Sequence, residues 1–119
     1  MTTQEVVDRL LVLVKEGKNV QAEEELYHEN ILSVEQNGHQ AIGLAPVIEK
    51  TKGAFQGIET FHGGGVSAAY VAADSFLLKF DMDMTPKGGE RMQMTEYGFY
   101  KVADGKVTEE YFFAQPMSM

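Results

Sequence analysis

The stretch Ser75–Val102, SFLLKFDMDMTPKGGERMQMTEYGFYKV, decides how this chain folds. Both halves alternate with the period of two that marks a half-buried strand, and Pro86–Glu90 between them supplies a turn. With that turn centred on Gly88, Met84 faces Met92, Met82 faces Met94, Phe80 faces Glu96, Leu78 faces Gly98 and Phe76 faces Tyr100. One face of the pair is therefore apolar except at Glu96. The other carries Lys79, Asp81, Asp83, Arg91, Gln93, Thr95 and Lys101 and reads as solvent-facing. A slip of one residue would exchange the two faces, so the hairpin register alone aims Glu96 inward. Two readings of an inward carboxylate stay open. It is hydrogen-bonded near a sheet end, or it lines a pocket where desolvation raises its pKa and suits it to proton transfer.

Strand patterning continues on both sides of this hairpin. Gly65–Ala72 reads as a preceding strand and Val107–Gln115 as a following one, joined by the tight Asp104-Gly105 turn. The first half of the chain has helical periods instead. Thr2 and Glu5 have capping-box spacing ahead of Val6, Val7, Leu10, Leu11, Leu13 and Val14, and Gly17 is placed to end that helix. Asn19 is placed to cap a second helix reaching about Tyr27, with Glu23-Glu24-Glu25 as its solvated face. Ile31–Gln36 reads as a short strand. Pro46 suits the first turn of a third helix, along which Val47, Ile48, Thr51, Phe55 and Ile58 recur. Gly63-Gly64-Gly65 then reads as a flexible break; it lacks the Gly-Lys-Ser/Thr of a phosphate loop. The expected architecture is one α+β domain over residues 1–119: three N-terminal helices on a curved, mostly antiparallel sheet that ends in a four-strand meander.

Charge and composition narrow the function classes. Eighteen acidic residues against ten basic ones give a net charge of −8, which disfavours nucleic acid and anionic membrane surfaces as partners. No apolar run approaches the roughly 20 residues of a membrane span, and the opening MTTQEVVDRLL does not read as a secretory signal, so a cytoplasmic setting is expected. Without cysteine there is no disulfide, thiolate metal site or cysteine nucleophile. His28, His39 and His62 lack ligand spacing, and neither metal nor cofactor is expected. Glu109 and Glu110 straddle the last strand, so one of them points inward or into an interface; turn geometry does not settle which. Tyr111-Phe112-Phe113 makes that strand apolar on both sides, which implies a partner on the outer face and a homodimer through the sheet.

Three phrases, EELYHENILSVEQ, the long meander and the closing KVADGKVTEEYFF, resemble the SnoaL-like family of the nuclear transport factor 2-like superfamily, which includes polyketide cyclases and ketosteroid isomerases. The resemblance implies a cone-shaped half-barrel whose helices and concave sheet enclose a pocket. In ketosteroid isomerases a general-base Asp follows the Tyr that ends the second helix by eight residues; from Tyr27 that position is Glu35. Their oxyanion-hole Tyr and Asp fall near Leu10 and Gly98, so that part of the site is not reproduced. The cyclases imply acid–base chemistry that Glu35 and Glu96 could share. Tyr27, His62, Phe80, Met82, Met94, Gly98, Tyr100 and Tyr111 are the expected pocket residues, and the methionines favour a small apolar ligand. Two functions follow: a cofactor-free enzyme of isomerisation, cyclisation or hydration, or a non-catalytic binding or dimerising module.

Overall fold

The structure is a computed structural model describing residues 1–115. Helix α1 spans Thr3–Lys15, opened by the reciprocal Thr2–Glu5 capping box and burying Val6, Val7, Leu10 and Leu13. It closes at Gly17, whose φ of 75° lets the Gly17 and Lys18 amides bond back to the Val14 and Leu13 carbonyls. Helix α2, Asn19–Leu26, begins one residue earlier than expected: Lys18 is the N-cap, without a side-chain cap. Tyr27 turns extended and starts β1, Tyr27–Val34, four residues before the expected strand. Its early start reflects pairing to a distant strand, which local patterning does not reveal.

The sheet continues through β2 (Gln40–Ile42), then, after α3 (Leu44–Gln56), through β3 (Ile58–Val71), β4 (Ser75–Pro86), β5 (Met92–Ala103) and β6 (Lys106–Gln115). Six strands lie in the order β2-β1-β6-β5-β4-β3, antiparallel throughout except for β1 beside β6. Three helices pack on this curved, unclosed sheet, an α+β architecture with the expected C-terminal meander. Strand β2 has only three residues, too few for a period of two to register in the sequence. Ile58 opens β3 rather than closing α3.

The three glycines correct another expectation. They lie inside β3, which bulges on both sides of them. Gly64 adopts φ 120°, and a Cβ there would sit 2.1 Å from the Asp81 carbonyl oxygen. Glycine is required for close backbone approach, so the triplet is sheet and not a break.

The β4–β5 hairpin pairs in the expected register, with Phe80 opposite Glu96 and Met82 opposite Met94. The core lies between its inner face and the helices, with Phe76, Leu78, Ile31, Val47 and Val107 almost wholly enclosed. No helix among the described residues is long and apolar enough to cross a membrane.

Candidate functional site

Between the helices and the inner sheet face the core gives way to a cavity of about 350 Å³. Its apolar wall comes from Leu10 and Val14 of α1, Ala54 and Phe55 of α3, Ile58 of β3, Leu78, Phe80, Met82 and Met84 of β4, Met94 of β5 and Phe112 of β6. Against this wall stand Asn19, Glu23, Tyr27, Glu35, Lys50, Thr51, Glu96, Tyr100 and Glu110. Four carboxylates and one lysine therefore share one largely apolar space.

Glu35 reaches the cavity from just beyond β1, on the face of Ile31 and Ser33. Lys50 of α3 pairs with it at 2.6 Å and also donates to the buried Ser33 hydroxyl. The ammonium lies 5.1 Å from the centre of the Phe112 ring, an added cation–π attraction. Glu96 projects from β5 between Met94 and Gly98, and its pKa is raised, first by desolvation and then by the Glu35 charge, against a smaller opposing effect of Lys50. Of the expected pocket residues, Tyr27, Phe80, Met82, Met94 and Tyr100 join these two carboxylates along the cavity.

Three others lie elsewhere. His62 is exposed on β3, hydrogen-bonded to the Thr85 hydroxyl at 2.8 Å. Tyr111 shares the outer sheet face with Glu109, to which its hydroxyl donates, because β6 turns Glu110 and Phe112 inward. Gly98 is buried beneath the Tyr100 side chain; a Cβ would lie 2.6 Å from the Tyr100 hydroxyl oxygen. It supports the cavity wall without being part of it. The ring above it is fixed further by stacking on Phe76 at 4.6 Å and an edge contact to Phe112 at 6.1 Å.

The sequence reading missed Lys50 and Glu23, and left open which of Glu109 and Glu110 points inward. Glu110 is the inward member of its pair, 1% exposed, and accepts the Tyr27 hydroxyl proton at 3.0 and 3.1 Å to its two oxygens. Burial pushes its pKa up to about 8, with Glu23 and Glu35 reinforcing the shift against Lys50 and the Tyr27 hydrogen bond. Glu23, expected on a solvated face, is 7% exposed. Its Oε2 accepts from Thr51 at 2.6 Å, while Oε1 has no hydrogen-bond partner. Desolvation raises its pKa to about 7 despite Thr51 and Lys50. A signal for Glu23 existed: it lies three residues from both Val20 and Leu26, on the apolar side of α2 rather than opposite it. Only Glu24 and Glu25 of the triplet keep to the surface, and Glu25 takes two hydrogen bonds of 2.9 Å from Arg9.

The curved, unclosed sheet covered by three helices is the fold of nuclear transport factor 2-like proteins. The sequence profile of the SnoaL-like domain matches residues 1–114, and the chain belongs to that family. Its structure is similar to a protein from Mesorhizobium loti described both as a SnoaL-like polyketide cyclase and as a carbohydrate phosphatase, at 37% identity and TM-score 0.85, covering 95% of this chain and 99% of that one. A Jannaschia protein described as a SnoaL-like polyketide cyclase has the same fold at 17% identity and TM-score 0.82, covering 95% and 85% of the two chains. So does a Catenulispora acidiphila protein of ketosteroid isomerase-like fold, at 18% identity and TM-score 0.75, covering 94% and 86%. No functionally curated protein matches the chain.

Proposed function

We propose that this protein binds a compact, largely apolar organic molecule in the cavity and transfers a proton on it, in an isomerisation, cyclisation or hydration. Glu35 is the base and Glu96 the acid. One observation carries this reading: the two carboxylates line the same cavity in unlike settings. Lys50 pairs with Glu35, while desolvation and the Glu35 charge widen the pH range over which Glu96 keeps its proton. Two carboxyl groups whose environments differ in this way can divide acid and base work. In such a step Glu35 takes a proton from a carbon beside a carbonyl, and Glu96 gives its proton to the carbonyl oxygen as the enol forms. The charges of the pair exchange and no cofactor enters. The Mesorhizobium loti relative, described as a polyketide cyclase, makes apolar ketones the first compounds to screen.

The test is a carbon-13 side-chain NMR titration of Glu96, assigned with Glu96→Gln, run beside deuterium exchange into a panel of apolar ketones. A Glu96 midpoint above the ordinary 4.5 and exchange that depends on Glu96 are expected. A midpoint at or below 4.5 ends the enzyme reading.

The outer sheet face favours a second reading, a dimerising module. Phe99 and Tyr111 pack there at 6.4 Å, and Phe113 beside them is 51% exposed. A homodimer through this face would cover that apolar surface. Light scattering of the wild type and Phe113→Glu should give a dimer and a monomer; a monomeric wild type sinks the dimer.

A further inference from the structure

Glu23 and Glu110 have no part in the proton transfer proposed above, yet both are buried in the same cavity. Around them the cavity divides into two ends. At the open end, Glu35 is 34% exposed and already paired with Lys50, whose side chain is 23% exposed. At the enclosed end stand Glu23, Tyr27 and Glu110, where the Glu23 Oε1 is unpartnered. An acceptor left unpartnered in a buried, roomy site needs a donor to fill it. Among the described residues, Lys50 is the one basic residue lining the cavity, against four glutamates. No group of three or more acidic or histidine side chains among the described residues is arranged to hold a metal ion.

Building on the small-molecule reading, we infer that the enclosed end is a subsite for a protonated amine, seated with an N–H on Glu23 Oε1 and its charge shared with Glu110. A primary ammonium supplies the missing donor and the missing charge together, whereas a neutral hydroxyl supplies only the donor. The carbon skeleton then lies along Phe80, Met82 and Phe112 toward Glu35 and Glu96.

Ammonium binding is coupled to proton release. The titratable groups facing the subsite are Glu23 from α2, Tyr27 and Glu35 from β1 and its end, Lys50 from α3, Glu96 and Tyr100 from β5, and Glu110 from β6; α1, β3 and β4 line the cavity with apolar side chains. Desolvation places Glu23 and Glu110 at about 7 and about 8, so at neutral pH most of Glu110 and part of Glu23 carry protons whose release a bound cation favours. Affinity for an amine therefore rises with pH through that range, until the amine itself deprotonates.

Calorimetric titration with 2-phenylethylamine and its neutral counterpart 2-phenylethanol, at about pH 6 and about pH 8.5 on either side of those pKa values, tests the inference. The amine should bind at least about tenfold more tightly than the alcohol at the higher pH, and Glu23→Gln should remove most of that advantage. Unchanged binding of the alcohol by Glu23→Gln shows that the cavity is intact in the variant. Equal binding of amine and alcohol, or an amine advantage that Glu23→Gln leaves in place, overturns the amine subsite without touching the reading of Glu96. Binding of neither compound also overturns it, and the Glu96 titration judges the proton-transfer reading separately.

Discussion

Strands β4 and β5 carry acidic residues on both faces, and the two faces treat them in opposite ways. Outside, Asp83 takes two hydrogen bonds from Arg91, at 2.9 and 2.8 Å, which hold its pKa down near 2. Asp81, bonded by Ser67 and by Thr95 at 2.7 Å, is lowered as well. Inside, Glu96 has lost water and faces the Glu35 charge, and its pKa is raised. Neighbouring strand β6 extends the contrast, for buried Glu110 rises to about 8. Chemically near-identical groups a few residues apart are thus shifted toward the anion on one side and toward the protonated form on the other. The lesson is that alternation along a strand can set proton affinity as well as burial. The first face supplies solubility and modest ion pairing, and the second can supply chemistry.

The sharpest way to break the comparison is by activity. Glu96→Gln should slow deuterium exchange into a reactive ketone by about 100-fold or more, whereas Asp81→Asn, across the same sheet, should leave it within about twofold. Equal losses would mean that the faces do not differ in function.

A second route attacks the wall itself. Gly98→Ala pushes a methyl group into Tyr100, so urea denaturation should record a loss of about 2–3 kcal/mol. A neutral result would show that the ring can leave its stack on Phe76 cheaply.

The pH dependence of stability sharpens the contrast further. Between the ordinary carboxylate value of 4.5 and the folded value of about 8, the folded chain keeps a proton on Glu110 that the unfolded chain releases. Stability contributed by this group is therefore flat below that window and falls as pH rises through it. Glu110→Gln should stabilise the protein by on the order of 2 kcal/mol above about pH 8, with the gain fading toward pH 4.5, as read from thermal melts across pH. Asp83 has the opposite sign. Its depressed pKa contributes stability above the ordinary value of 3.8 that is lost as pH falls toward 2. Asp83→Asn should lower the melting temperature slightly at neutral pH and erase that acid-side slope, the smallest of these effects. A stabilising Asp83→Asn would contradict the assignment of the two faces.

Much of this arrangement was legible in the sequence because it rests on local rules. The PKGGE turn set the β4–β5 register, and with it the inward aim of Glu96 and the outward aim of Asp81 and Asp83. The Thr2–Glu5 spacing set the start of α1, and Gly17 its end. Glu35 was found by its distance from Tyr27 in a family pattern, and it does reach the cavity that holds Glu96. The misses fell where long-range pairing decides. Which of Glu109 and Glu110 turns inward depends on a register shift at Lys101–Val102 and on the parallel alignment of β6 with β1. Tyr111 went to the outer face by the same alternation. Gly63–Gly65 looked like a break because nothing nearby in the chain announces that the Asp81 carbonyl presses against Gly64.

By itself, then, the sequence determined the order of elements apart from β2, the α+β class, the hairpin register and the side on which Glu96 lies, because turns, caps and period-two patterning act over a few residues. Only the tertiary structure decided that Glu23, Glu35, Lys50, Glu96 and Glu110 meet in one cavity, since they come from α2, the end of β1, α3, β5 and β6. The physical reason is desolvation. A carboxylate's proton affinity depends on what other elements place around it, and no local pattern carries that information.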